Sequence, residues 1–167
     1  EKKQFHIMYQ PKVDSTNKQL IGVEALLRWK IDNDKFISPY YFIPIAEKNG
    51  FIVELGNWVI STVLQQMRDW MDNNIESPAV AINVSAIQLH QPDFADNLLK
   101  QLDNYQIPGY LVQIELTESV LMGNMEDITS QLKKIRSKGV LVSIDDFGTG
   151  YSNLSYLPNL PVDIINE

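Results

Sequence analysis

Residues 79–84 read Ala79-Val80-Ala81-Ile82-Asn83-Val84. Successive strand side chains point to opposite faces, so Val80, Ile82 and Val84 share one face while Ala81 and Asn83 share the other. The first face is aliphatic and suits helix packing. The second is small and then polar, and ends in an amide. Three more runs repeat this phase. Residues 20–29 set Ile21 and Val23 against Gly22 and Glu24. Residues 111–116 set Val112, Ile114 and Leu116 against Gln113 and Glu115. Residues 140–145 set Val140, Val142 and Ile144 against Ser143 and Asp145. Each polar face thus ends in a side-chain oxygen: Glu24, Asn83, Glu115 and Asp145, with Asp146 directly after. A barrel whose interior opens at its strand ends explains both faces. A doubly wound open sheet would be aliphatic on both.

Outward from these runs, strand and helix signals alternate. Residues 5–13 read as a first strand and 14–18 as a polar turn. Ser38-Pro39 predicts a helix start, cap followed by proline, with the helix running over 41–48 and stopping at Asn49-Gly50. Ile60, Val63, Leu64, Met67 and Met71 recur at helical spacing and predict a long helix over 54–73. Further helices are expected over 93–105 and 126–138, the latter ended by Gly139, with a short helical segment over 152–157 and a last strand over 162–165. This order predicts a mostly parallel sheet covered by helices in one domain, 1–167. An eight-stranded barrel takes about 250 residues. Six strands are expected here, so the domain reads as lacking roughly its last two strand-helix units, C-terminally incomplete.

The chain has 167 residues, 44% hydrophobic and 21% charged, ordinary for a globular protein. Its net charge of −7 disfavours duplex nucleic acid, which needs a basic face. A phosphate ester stays open, because bound cations invert the local field. With no cysteine, disulfides, thiolate zinc sites and a cysteine nucleophile are excluded. No apolar run has the length of a membrane helix and no signal-peptide pattern opens the chain. A cytoplasmic location is expected, including as the cytoplasmic domain of a larger, even membrane-anchored, protein.

Carboxylate and amide oxygens are the ligands of Mg²⁺ or Mn²⁺ rather than zinc. One carboxylate at a strand end is usually a solvated or capping residue. Four oxygens on one face bring like charges together, which is costly without a cation. Asp145-Asp146-Phe147-Gly148-Thr149-Gly150 is the sharpest local motif, two acids and two glycines that permit a tight turn by a ligand. Arg28, four residues after Glu24, suits a phosphate, or else a surface salt bridge. His6 and His90 are far apart and read as structural. Tyr40, Tyr41 and Phe42 read as helix packing, and Ser85 and Ser152 lack a histidine partner.

Taken together, the motifs resemble the EAL-domain family, bacterial phosphodiesterases of cyclic di-GMP. The residues concerned are Tyr9-Gln10-Pro11, Glu24-Ala25-Leu26-Leu27-Arg28-Trp29, Asn83-Val84-Ser85, Glu115-Leu116-Thr117-Glu118, residues 145–152 and residues 157–163. The resemblance implies a modified TIM-type (β/α)8 barrel with an antiparallel first strand. It implies two Mg²⁺ or Mn²⁺ ions held by Glu24, Asn83, Glu115, Asp145 and Asp146. Gln10, Leu26 and Arg28 would bind the dinucleotide, and Glu118 would anchor the loop 147–152 near the metals and a dimer interface. The implied reaction opens cyclic di-GMP to linear pGpG through a metal-activated water at Glu24, Asp145 and Asp146.

One departure is that the family's usual lysine after the strand 162–165 is replaced by Asn166, and a later glutamate and glutamine are not seen. The expectation is therefore hydrolysis of cyclic di-GMP by the parent domain, with these residues alone weak or inactive. The alternative is a catalytically deficient cyclic di-GMP receptor. A homodimer and an additional sensor or signalling domain are the partners implied. An unrelated metal-dependent barrel of enolase type would need a later lysine or histidine base, and none is visible.

Overall fold

In the computed structural model, residues 4–32, 35–117, 120, 125–145 and 160–165 are described. Strand β1 (Phe5–Val13) and strand β2 (Leu20–Asp32) form an antiparallel hairpin, with Gln10 opposite Glu24 and Lys12 opposite Gly22. Its turn is built by Asp14, whose Oδ1 accepts from the backbone N–H of Thr16 at 2.7 Å and of Asn17 at 3.0 Å. Lys18 completes the reversal in the left-handed region at φ 59°. This local chemistry makes the first strand antiparallel, as the resemblance implied.

β2 runs on to Asp32 and pairs with a short antiparallel strand β3 (Lys35–Ile37). Three residues carry too little alternation to be read as a strand, so β3 adds to the six expected. Helix α1 (Pro39–Lys48) begins at Ser38-Pro39 as expected, but the Ser38 side chain makes no capping hydrogen bond. Proline at the first helical position suffices, because its missing N–H would be unpaired there in any case. Helix α2 (Phe51–Asp72) starts three residues earlier than the expected range 54–73. Gly50, at φ 79°, turns the chain, and Asn49 Oδ1 accepts from the Phe51 N–H at 3.0 Å.

Strand β4 (Val80–Val84), helix α3 (Ala86–Leu89), helix α4 (Phe94–Tyr105), strand β5 (Val112–Thr117), helix α5 (Met125–Arg136), strand β6 (Leu141–Asp145) and strand β7 (Ile164–Ile165) follow. A 3-10 turn, Gly109–Leu111, leads into β5. The sheet order is β1-β2-β4-β5-β6-β7, with β3 on β2, and every pair from β2–β4 to β6–β7 is parallel. The expected segment at 152–157 lies outside the described residues.

The core matches the aliphatic phase. Val80, Ile82, Val84, Val112, Ile114, Leu116, Val142 and Ile144 are buried, together with Ile60, Val63, Leu64 and Met67 of α2, Leu98 of α4 and Ile128, Leu132 and Ile135 of α5. Ile21 is the exception at 62% exposed. It precedes the β2–β4 pairing, whose described register begins at Val23, so no helix covers it. A second cluster joins Phe42, Ala46, Ile52 and Leu55, with Phe5 and Trp29 against it. Phe42 alone of the aromatic triplet packs as expected; Tyr40 and Tyr41 are exposed. No helix among the described residues is long and apolar enough to cross a membrane.

Candidate active site

Paired residues share a sheet face, so the register fixes the inward row. Gln10 lies beside Glu24, Glu24 beside Ala81, Asn83 beside Glu115, Glu115 beside Ser143, and Thr117 beside Asp145. The polar face expected from alternation therefore exists, with Glu24, Asn83, Glu115 and Asp145 on it.

Glu115 is the deepest member at 2% exposed. Its Oε1 accepts from Lys12 Nζ and, at 3.1 Å, from Gln113 Nε2. Gln113 Nε2 also donates to Ser143 Oγ at 2.8 Å. Glu115 Oε2 is buried and has no hydrogen-bond partner among the described residues. Burial pushes the Glu115 carboxyl above its ordinary pKa; the hydrogen bond and charge of Lys12 pull it down; Glu24 and Asp145 push it up again. These couplings place three carboxylates within electrostatic reach of one another. Above Glu115 the row opens: Glu24 and Asp145 are half-buried and Asn83 is exposed. Asn83 Nδ2 donates to Glu24 Oε1 at 2.7 Å, which turns the amide oxygen away from Glu24.

A cleft of about 280 Å³ adjoins this row. Leu26, Ile43, Ile52, Leu55 and Val59 make its apolar wall; Asn83, Glu115 and Glu47 contribute its polar groups. Ser85, unsuited to nucleophilic chemistry, has a local task instead. It caps α3 in a reciprocal box, its Oγ accepting from the Gln88 N–H while the Gln88 side chain accepts from the Ser85 N–H. Gln88 packs against Gly56, where an added Cβ would lie 1.8 Å from Gln88 Nε2. A side chain at this position would have to displace Gln88.

Of the residues expected to bind a dinucleotide, Leu26 lines the cleft. Gln10 is exposed beside Glu24. Arg28, on the same β2 face as Glu24 and Leu26, is half-buried, and its Nη1 donates to Leu27 O at 2.9 Å. It makes no ion pair among the described residues, so the surface salt bridge is not formed there. His6 and His90 are exposed, and a His90 ring nitrogen lies against Ala86 O. Asp146, Glu118, the loop 147–152 and Asn166 lie outside the described residues. Lys12 was missed from the sequence. Its signal was available: it shares the inward phase of Gln10 on β1.

Among the described residues, no group of three His, Asp or Glu side chains is gathered tightly enough to hold a metal by itself. The donors nevertheless fit Mg²⁺ or Mn²⁺ in kind. All are oxygens, one is an amide, and Glu115 Oε2 is a buried carboxylate oxygen without a partner.

An antiparallel first strand, parallel strands after it and an acidic row at their C-terminal ends define an α/β barrel with its site at the strand ends. The family model for the EAL domain matches residues 1–166, and the chain belongs to that family. Among curated proteins, the chain is 41% identical over 162 residues to the bifunctional diguanylate cyclase/cyclic di-GMP phosphodiesterase MucR of Pseudomonas aeruginosa, covering 96% of this chain and 24% of MucR. It is 39% identical over 161 residues to the cyclic di-GMP phosphodiesterase PA2567 of the same organism, covering 96% of this chain and 27% of that protein. It thus spans about a quarter of these relatives' length.

Among solved structures, the MucR phosphodiesterase in complex with cyclic di-GMP superposes with a TM-score of 0.88 at 40% identity, over 97% of this chain and 66% of that one. The EAL enzyme Bd1971 bound to cAMP and cyclic di-GMP gives 0.89 at 33% identity, over 98% of this chain and 45% of that one. The fold is therefore the TIM-like EAL barrel expected from the sequence.

Proposed function

We propose that this chain is the phosphodiesterase domain of a cyclic di-GMP hydrolase, opening one phosphodiester bond to give linear pGpG. The observation that carries the reading is the inward row Glu24, Asn83, Glu115 and Asp145, with Glu115 Oε2 buried and unpartnered beside an apolar cleft. The family relationship supports it, since the relatives at 41% and 39% identity are named as cyclic di-GMP phosphodiesterases, the first of them bifunctional.

Glu24, Asn83, Glu115, Asp145 and Asp146 would hold two Mg²⁺ or Mn²⁺ ions. When bound, such ions lower the pKa of a coordinated water and stabilise charge on the attacking and leaving oxygens. The chain's own residues do the rest. Asn83 holds Glu24 in place by its hydrogen bond. Gln113 and Lys12 hold Glu115. Arg28 meets a phosphate with charged N–H donors. Leu26 and the apolar wall take a flat base, whose burial excludes water. Glu118 would anchor the loop 147–152.

The second reading is a receptor that binds cyclic di-GMP without cleaving it. The replacement at Asn166 favours it. Product analysis after incubation with cyclic di-GMP and Mn²⁺ separates the two, since linear pGpG forms only under the first. Further domains accompany the EAL domain under this proposal, as in the longer relatives.

A further inference from the structure

Lys12 is a cation in the site that the sequence reading did not single out. It stands on β1 opposite Gly22, two residues before Glu24 in β2, and so approaches from the layer beneath the acidic row. Gly22 offers no side chain in its way, and a Cβ there would come within 2.9 Å of Ala79 O. The ammonium reaches Glu115 Oε1, which Gln113, also one layer down, approaches too. Oε1 is thereby committed to the protein and Oε2 is not. The Lys12 side chain is 32% exposed and that of Glu115 only 1%. Water therefore screens the pair poorly on the carboxylate side.

We propose that Lys12 is a resident counter-cation that sets the metal affinity of this site. It compensates part of the acidic row before a divalent ion arrives and opposes that ion once it is bound. This rests on the metal-site reading above. The physical reason is that one carboxylate would sit between two cations. The ammonium holds Oε1, the metal would take Oε2, and like charges this close repel in a partly desolvated site. Lys12 acts through Glu115 and is a positioning and tuning residue, not a catalytic one. The trade is a folded, charge-compensated site without metal against weaker binding of the metal.

The test is calorimetric titration of Mn²⁺ alone into the purified full-length protein, beside thermal unfolding with and without Mn²⁺. Lys12→Met is expected to tighten Mn²⁺ binding by about tenfold or more. It should also lower the melting temperature without metal, so that the rise on adding Mn²⁺ is larger than in the wild type. Lys12→Arg, which keeps charge and donor, should return both toward wild type. If Lys12→Met does not fold, Lys12→Gln removes the charge while keeping a donor and carries the same expectation. Wild-type binding of Mn²⁺ with unchanged or weaker binding in the neutral variants overturns this inference alone. No Mn²⁺ binding by the wild type overturns the metal-site reading and this inference with it.

Discussion

Asn83 donates from Nδ2 to Glu24 Oε1 at 2.7 Å, across 59 residues of sequence, tying the end of β4 to the interior of β2. The bond orients both groups, leaving the Asn83 amide oxygen and the second Glu24 oxygen for a ligand. As a proposed ligand that also orients Glu24, Asn83 should matter to metal binding at least as much as an outer partner, whose removal typically costs about 10–100-fold in affinity. Asn83→Leu is expected to weaken Mn²⁺ binding by that order, read by calorimetry. Stability should change little, because Asn83 is exposed.

Gly56 faces a different constraint. A methyl there would meet the Gln88 side chain at 1.8–2.7 Å. Gly56→Ala raises helix propensity, yet it must displace Gln88 from its capping box with Ser85. The steric cost should win, with a loss of about 1–3 kcal/mol in urea unfolding. A gain in stability would show that Gln88 moves freely.

Glu115 gives the metal-free protein a pH dependence of defined sign. Burial, only partly offset by Lys12, raises its folded pKa above the ordinary value of 4.5. Between the ordinary and the raised value, the folded chain keeps a proton that the unfolded chain has released. Stability from this group is therefore lost as pH rises through that window. The difference in unfolding free energy between wild type and Glu115→Gln, followed by urea titration from pH 4 upward, should shrink or change sign as pH rises, and Mn²⁺ should oppose the fall.

Arg28 makes one short-range contact, to Leu27 O, and no ion pair among the described residues. A half-buried guanidinium so lightly engaged is available to an anion. Arg28→Ala should weaken cyclic di-GMP binding by about tenfold or more, as expected for loss of a charge-assisted contact. Mn²⁺ binding should be unaffected. Equal loss of both would place Arg28 in the structure of the metal site instead.

Alternation made the inward row legible because the side-chain period of a strand is two, and β4, β5 and β6 each hold it over five or six residues. The long helix was legible from its stripe. Its first turn was not, because Asn49 and Gly50 start it by local chemistry that hydrophobic spacing does not register. Three-residue β3 and four-residue α3 are too short to show a period. Tyr40 and Tyr41 look like core residues by type, but α1 presents Phe42 inward instead. The Lys12–Glu115 pair joins residues 103 apart: the phase of β1 puts Lys12 on the inward face, but which carboxylate it meets is a tertiary fact.

The most direct measurement is the fate of cyclic di-GMP incubated with the full-length protein and Mn²⁺, resolved by chromatography. The account predicts linear pGpG, abolished by Glu24→Ala and by chelation of the metal. Cyclic di-GMP recovered intact from a protein that demonstrably binds both Mn²⁺ and the dinucleotide would contradict hydrolysis and leave a receptor.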